Sequence, residues 1–277
     1  MVIWVSVIFI LVLIVFFFAI ADRRFYTAFV RQAREVRAWA GKQDDAPITE
    51  EELKKLPEPV ARYMRFSGVA GGKKVSFMRL RHSGTFRPGV KRPFLPIRGE
   101  YYLTTKKPSF CWYGKISLLP GLSVVACDSY ADGRGRMRVK LMSLFKIADA
   151  RSPEVGLSGF GRCLAEMTLV PSFFLDGSRI NWTRSDANSA DCLVSDSGLQ
   201  SKARLFINPD GSLDRIEVER YYDRGGGRGT LETFTGQGHD VRDFGGLKLA
   251  SVMDGYWNLP EGDLHYVHFV IERAEFE

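Results

Sequence analysis

"LDRIEVERYY" (Leu213–Tyr222) decides the fold of this chain. Ile216, Val218 and Tyr222 fall on one face of an extended strand, and Glu217 and Glu219 fall on the other. A period of two with one apolar side marks an antiparallel strand that is buried on one face and wet on the other. "YVHFVIER" (Tyr266–Arg273) repeats the pattern, with Val267, Phe269 and Ile271 set against His268 and Glu272.

Working outward, strands are expected at Val75–Phe86, Ile97–Thr105, Phe110–Ser117, Leu122–Tyr130 and Arg136–Met142, then at Arg179–Ser185, Asp191–Ser195, Lys202–Asn208, Leu213–Tyr222, Thr230–Thr235, Lys248–Trp257 and Leu264–Phe276. Turn signals separate them: "KKPS", "LLPG", "ADGRG", "NPDGS", "GGGRG" and "LPEGD". Short connections make antiparallel neighbours, and no βαβ alternation is present. A sheet of about ten strands must curl or split. The expected class is therefore mainly β: a large curved antiparallel sheet or incomplete barrel with a concave apolar surface. The helical segment Val155–Leu175, which includes "GFGRCLAEMTLVPSFF" (Gly159–Phe174), is the candidate lid.

The N-terminal run "VIWVSVIFILVLIVFFFAIA" (Val2–Ala21) carries no charge. A helix of this length rises about 30 Å, the thickness of a bilayer core. No basic residue precedes it and bulky Phe16, Phe17 and Phe18 stand near its end, so a retained single-pass anchor is expected rather than a cleaved signal. Arg23, Arg24, Arg31, Arg34, Arg37 and Lys42 follow, against Glu35 alone. Flanking Lys and Arg favour the cytoplasmic side, which places the body on the cytoplasmic face of an inner membrane, with the periplasmic face as the alternative. Phe25, Phe29, Val36 and Ala40 fall near helical spacing, so the anchor continues as a basic amphipathic helix that can meet anionic headgroups. Residues 1–22 are read as anchor, 23–47 as amphipathic helix and linker, and 48–277 as the β domain with its helical insert near 155–175. Thr49 to Glu52 fits a capping box, and a short helix begins at Pro59 and closes near Gly68.

The formal charge is +7, but beyond residue 42 it is only +3, so the basicity belongs to one segment. A nucleic-acid-binding surface would be basic on the folded body, and none is expected. Cys111, Cys127, Cys163 and Cys192 form no CxxC, and four buried free thiols are expected.

"LPEPVARYMRFSG", "RLRHSGTFR", "DSYADGRGRMRVKLMSLFKIADA", "GRCLAEMTLVPSFFL", "INWTRSDANSA" and "WNLPEGDLHY" resemble, in the same order, a bacterial family of membrane-associated proteins with no assigned activity. The resemblance covers roughly Leu56 to Phe276. In that family an aromatic follows the helical arginine and a tryptophan follows the glutamate; here Cys163 and Thr168 or Leu169 stand there. By architecture, the strand-rich curve with a helical lid also looks like the lipoprotein-carrier fold of the Lol system.

Arg162 and Glu166 are four apart and share a helix face. Three readings are open: an exposed ion pair; a buried lock of lid to sheet with Asp128 as third member; or Glu166 as general base beside Asp128 in a hydrolase or isomerase. Trp112, Trp182, Trp257, Tyr102 and Phe110 are candidates to line an apolar site. Asp132-Gly133 reads as a hairpin turn rather than a calcium loop, and "GGGRG" as a hairpin end rather than a phosphate cradle. In "HYVH" (His265–His268) a separation of three on a strand points the imidazoles to opposite faces, so no metal site is expected. The common hydrolase signatures are absent. The expected function is binding of a membrane lipid or another apolar ligand without catalysis or cofactor; a scaffold that binds a protein at a sheet edge is the third possibility.

Overall fold

The structure, a computed structural model, describes residues 2–42, 44–225 and 229–277. Among the described residues thirteen strands form one antiparallel sheet curled into a half-barrel. Six of them, β1 (Phe77–Phe86), β2 (Leu95–Thr104), β3 (Ser109–Leu119), β4 (Leu122–Ala131), β5 (Arg134–Leu141) and β6 (Phe145–Ala150), walk outward from the middle to one edge. The chain then crosses to the opposite edge and walks back through β7 (Ile180–Ser185), β8 (Ser189–Asp196), β9 (Leu199–Ile207), β10 (Leu213–Asp223), β11 (Gly229–Asp243), β12 (Lys248–Leu259) and β13 (Gly262–Phe276). The two halves meet where β13 pairs with β1.

The crossing is made by helix α4 (Pro153–Glu166) and two 3₁₀ turns, Met167–Leu169 and Pro171–Leu175. Ser152 caps α4 through its hydroxyl, and Pro153 occupies the first helical position, where its missing N–H costs nothing. The expected lid segment is therefore helical for its first part and 3₁₀ beyond Glu166. It is less an insertion than the link between the two sheet edges.

The N-terminal helix α1 (Val2–Ala38) is long and apolar enough to cross a membrane. The side chains of its first half are mostly exposed, whereas Phe25, Phe29, Ala33 and Val36 are buried on the outer face of the sheet against Cys111, Tyr113, Val125 and Cys127. The amphipathic stripe read from the sequence thus meets protein; Arg23, Arg24, Arg31 and Arg34 are exposed, while Arg37 pairs with Glu277 and lies over the Phe77 ring. The short helices α2 (Glu50–Leu53) and α3 (Glu58–Phe66) follow, the first closed by the expected capping box of Thr49 and Glu52.

Two strand readings need correction. β6 was not expected: its "FKIADA" leaves Phe145 and Ile147 exposed, so it has no buried alternation to betray it. β11 continues to Asp243, well past Thr235: Gly236 and Gly238 lie within the strand, where a Cβ would meet Ile216 and Ala250 respectively. Asp132 and Gly133, both at positive φ, make the expected tight turn between β4 and β5. The three central residues of "GGGRG" lie outside the described residues.

Candidate functional site

The concave face holds the main core, and α4 roofs it. Its floor is set by a row of small residues. His82, Gly99 and Gly114 face one another across β1, β2 and β3. A Cβ on Gly99 would strike the His82 ring, and one on Gly114 would strike the Trp112 indole, so these glycines are what lets both rings lie flat on the sheet. Trp112 Nε1 donates to His82 Nε2 at 2.9 Å, with the two rings parallel to within 6°. Phe269 closes on the other side of His82, with ring centroids 4.0 Å apart.

Between this floor and α4 lies a cavity of about 90 Å³. Leu80, Trp112, Leu169, Phe234, Met253 and Phe269 give it an apolar wall. Arg162 and Glu166 from the roof, with His82 and Tyr101 from the floor, bring polar groups to it. Arg162 Nη1 donates to Asp128 Oδ2 at 2.7 Å and Nε donates to Glu166 Oε1 at 3.1 Å. Its guanidinium also stands over the rings of Trp112, Phe110 and Tyr101 at 4.7, 5.1 and 5.7 Å, a favourable place for a cation away from water. A second arginine, Arg220 of β10, reaches in over Phe234 and Trp257 and donates through Nε to the Ser158 carbonyl.

The electrostatics follow from burial. It pushes the Asp128 carboxyl up, despite the two arginines that favour its charge. Burial, helped by the Arg162 charge, drives His82 down to about 3, so its imidazole stays neutral and able to accept from Trp112. Burial and then Arg162 lower Arg220 to about 10. For Arg162 itself the carboxylates of Glu166 and Asp128 outweigh burial and hold the charge firmly. The Tyr101 hydroxyl is pushed well up by burial and then by Glu166. Asp128 Oδ1, Glu166 Oε2, the Tyr101 hydroxyl and His82 Nδ1 are buried without a hydrogen-bond partner.

Of the aromatics chosen from the sequence, Trp112 lines the cavity. Phe110 is buried beneath Arg162, stacked on Tyr101. Trp257 packs beside the cavity against Phe234 and Tyr222. Trp182 stands on the edge strand β7 near Phe174, and Tyr102 faces outward onto Phe29 of α1. Sequence reasoning passed over His82 and Arg220. The first shares the parity of buried Leu80 on β1, and the second shares the inward parity of Ile216 and Val218, so strand alternation alone could have found both.

The reading of "HYVH" is corrected. His265 Nε2 and His268 Nδ1 lie 2.7 and 2.9 Å from the same atom, Asp254 Oδ1. The cause is a bulge: β13 carries one extra residue where the register passes from Tyr256–His265 to Gly255–Val267. Tyr266 and Val267 both pack on the concave side, and His265 and His268 therefore return to the same outer face.

No curated protein matches the chain. Three solved structures are similar to it at low identity. One is described as an outer membrane lipoprotein-sorting protein domain from Vibrio parahaemolyticus (11% identity, 82% of this chain and 93% of that chain covered, TM-score 0.41). Another is a LolA superfamily protein from Nitrosomonas europaea (12%, 84% and 94%, TM-score 0.40). A third is a DUF1329 family protein from Desulfovibrio piger (10%, 84% and 94%, TM-score 0.40). Residues 46–269, nearly the whole body, match the family of unknown function DUF6544, and the chain belongs to that family.

Proposed function

We propose that the chain is a membrane-anchored, non-enzymatic binding protein for a lipid acyl chain or a ligand of similar apolar character. The reading rests on one observation: an apolar cavity sits between a single crossing helix and the concave face of the sheet. At about 90 Å³ it has the volume of about three waters, so a whole chain needs α4 to rise. Covering about 300 Å² of apolar ligand would contribute roughly 7 kcal/mol, at about 25 cal/mol per Å². Arg162 and Arg220 would meet a polar or anionic end. Residues 1–22 would span the bilayer, residues 23–47 would lead to the body, and the flanking arginines would hold the body at the cytoplasmic face. Both carboxylates of the hydrolase alternative give an oxygen to Arg162, which favours a lock over a general base.

Native mass spectrometry of the full chain, released from detergent after purification from its host, tests the proposal. A retained species of lipid mass that exchanges with added fatty acid is expected. A chain that emerges empty and takes up no fatty acid at micromolar concentration would refute it.

A further inference from the structure

The outer face of the sheet carries a second cluster, on the side opposite the cavity. Asp254 of β12 lies directly across from His268 of β13, His265 reaches the same carboxylate over the bulge, and His239 of β11 approaches from the third strand. The distances from Asp254 Oδ1 are 2.7 Å to His265 Nε2 and 2.9 Å to His268 Nδ1, and His239 Nε2 is 3.2 Å from Oδ2. One ligand atom from each of Asp254, His265 and His268 falls within 4.8 Å of the others. We infer that Asp254, His265 and His268 form a binding site for a divalent transition-metal ion of the zinc type, with His239 beside the second carboxylate oxygen.

Three features carry this. First, Asp254 is only 8% exposed, and among the described residues its ion-pair partners are imidazoles, with no lysine or arginine. A buried carboxylate ordinarily sits against a cation or a metal. Second, a tetrahedral site with bonds of about 2.0–2.1 Å places neighbouring ligand atoms about 3.3 Å apart, so a spread of about half an ångström would admit the ion. Third, the bulge that sends Tyr266 inward also brings His265 back to the outer face beside His268, and such irregularities recur where a side chain must be placed. Tyr256 stacks on the His265 ring at 4.6 Å and Phe94 meets its edge at 5.2 Å, which fixes the ring plane. Nitrogen-rich ligands select zinc and its first-row neighbours over magnesium or calcium. The histidine side chains are 30–42% exposed, which leaves a path for the ion and room for a water as fourth ligand.

The test uses the full chain without a histidine tag, in detergent, stripped with a chelator and titrated with zinc against a chromophoric competitor. One zinc per chain at micromolar affinity or better is expected. His265→Ala and His268→Ala should each weaken it at least 100-fold, and His239→Ala about 10- to 100-fold, as for a supporting group. Cobalt in place of zinc should give visible absorption in the wild type and lose it in His268→Gln. Metal-free melting curves identify any variant that fails to fold, and His268, exposed on the outer face, is the variant least at risk. Stoichiometric zinc that survives in the folded His265→Ala/His268→Ala chain would overturn the inference. So would the absence of saturable binding in the wild type, which would leave a hydrogen-bonded cluster only.

Discussion

Arg162 of α4 donates to Asp128 of β4 across 2.7 Å, an ion pair that fastens the roof of the cavity to its floor over 34 residues of chain. The side chains are 14% and 23% exposed, so removing one member leaves a shielded charge without its partner. Arg162→Ala orphans both Asp128 and Glu166 and should cost about 3 kcal/mol. At about 2–4 °C per kcal/mol for a chain of this class, the melting temperature should fall by roughly 6–12 °C. Glu166→Ala leaves Arg162 paired and should cost less, and Arg162→Ala/Asp128→Ala should cost less than the sum of its singles. Differential scanning calorimetry checks the order, and three singles that melt like wild type would sink the lock.

His82 predicts a pH dependence of definite sign. Its imidazole titrates near 6.5 when unfolded and is held down at about 3 in the fold. Between those values the unfolded chain binds the proton and the folded chain does not. Stability should therefore be lost as pH falls from about 6.5 towards 3, by up to about 1.4 kcal/mol per unit from this group. The raised Asp128 acts in the opposite sense, so the comparison must be a difference. His82→Gln, which keeps an acceptor for Trp112, should have the shallower slope in chemical denaturation at pH 7, 6 and 5. Identical slopes would contradict the burial argument.

Glycines separate the cavity's room from its rigid floor. A Cβ at Gly236 meets only Ile216 Cγ2, at 3.4 Å, whereas one at Gly114 strikes the Trp112 indole. Gly236→Leu should fill the cavity, hold the melting temperature near wild type and weaken uptake of a fluorescent fatty acid at least tenfold. Gly114→Ala should cost about 1–3 kcal/mol through overpacking. Full uptake by Gly236→Leu would place the ligand elsewhere.

All four cysteines are buried and free. None should react with iodoacetamide in the native chain, and all four should react after denaturation without reductant. Intact-mass spectrometry counts them, and a bridge between Cys111 and Cys127 would argue for an oxidising compartment.

The basic flank after the apolar helix predicts a cytoplasmic body. C-terminal fusions to alkaline phosphatase and to a fluorescent protein should be inactive and bright, respectively. The reverse result would put the body on the other side.

Much of this architecture was legible. Alternation in Leu213–Tyr222 and Tyr266–Arg273 announced the sheet, and the helical stripe of Phe25, Phe29 and Val36 announced a helical continuation of the apolar run, though not that the sheet would cover it. The spacing of Arg162 and Glu166 announced their pairing, and the Arg162–Asp128 contact was among the options. What stayed hidden depends on partners. The bulge at Tyr266 is a property of the register between β12 and β13, and neither strand reveals it alone. The expected strand stopped at Thr235 although β11 runs on through Gly236 and Gly238, because glycines that make space on the concave face carry no side chain to show an alternation. Tyr102 was misjudged for a similar reason: its face was set by which side α1 would cover.

The crossing from β6 to β7 has a mechanical consequence. A flap hinged at one end could swing clear of its opening, but this segment is tied to both rims of the half-barrel. It joins the two rims as a spreader bar does, so on the reading proposed above a ligand would enter only where the bar bows or the rims part. A single cut in the stretch between Ala150 and Pro153 would release the covalent tie to one rim while leaving every strand in register, and the Arg162–Asp128 pair would then be what holds that end of α4 down.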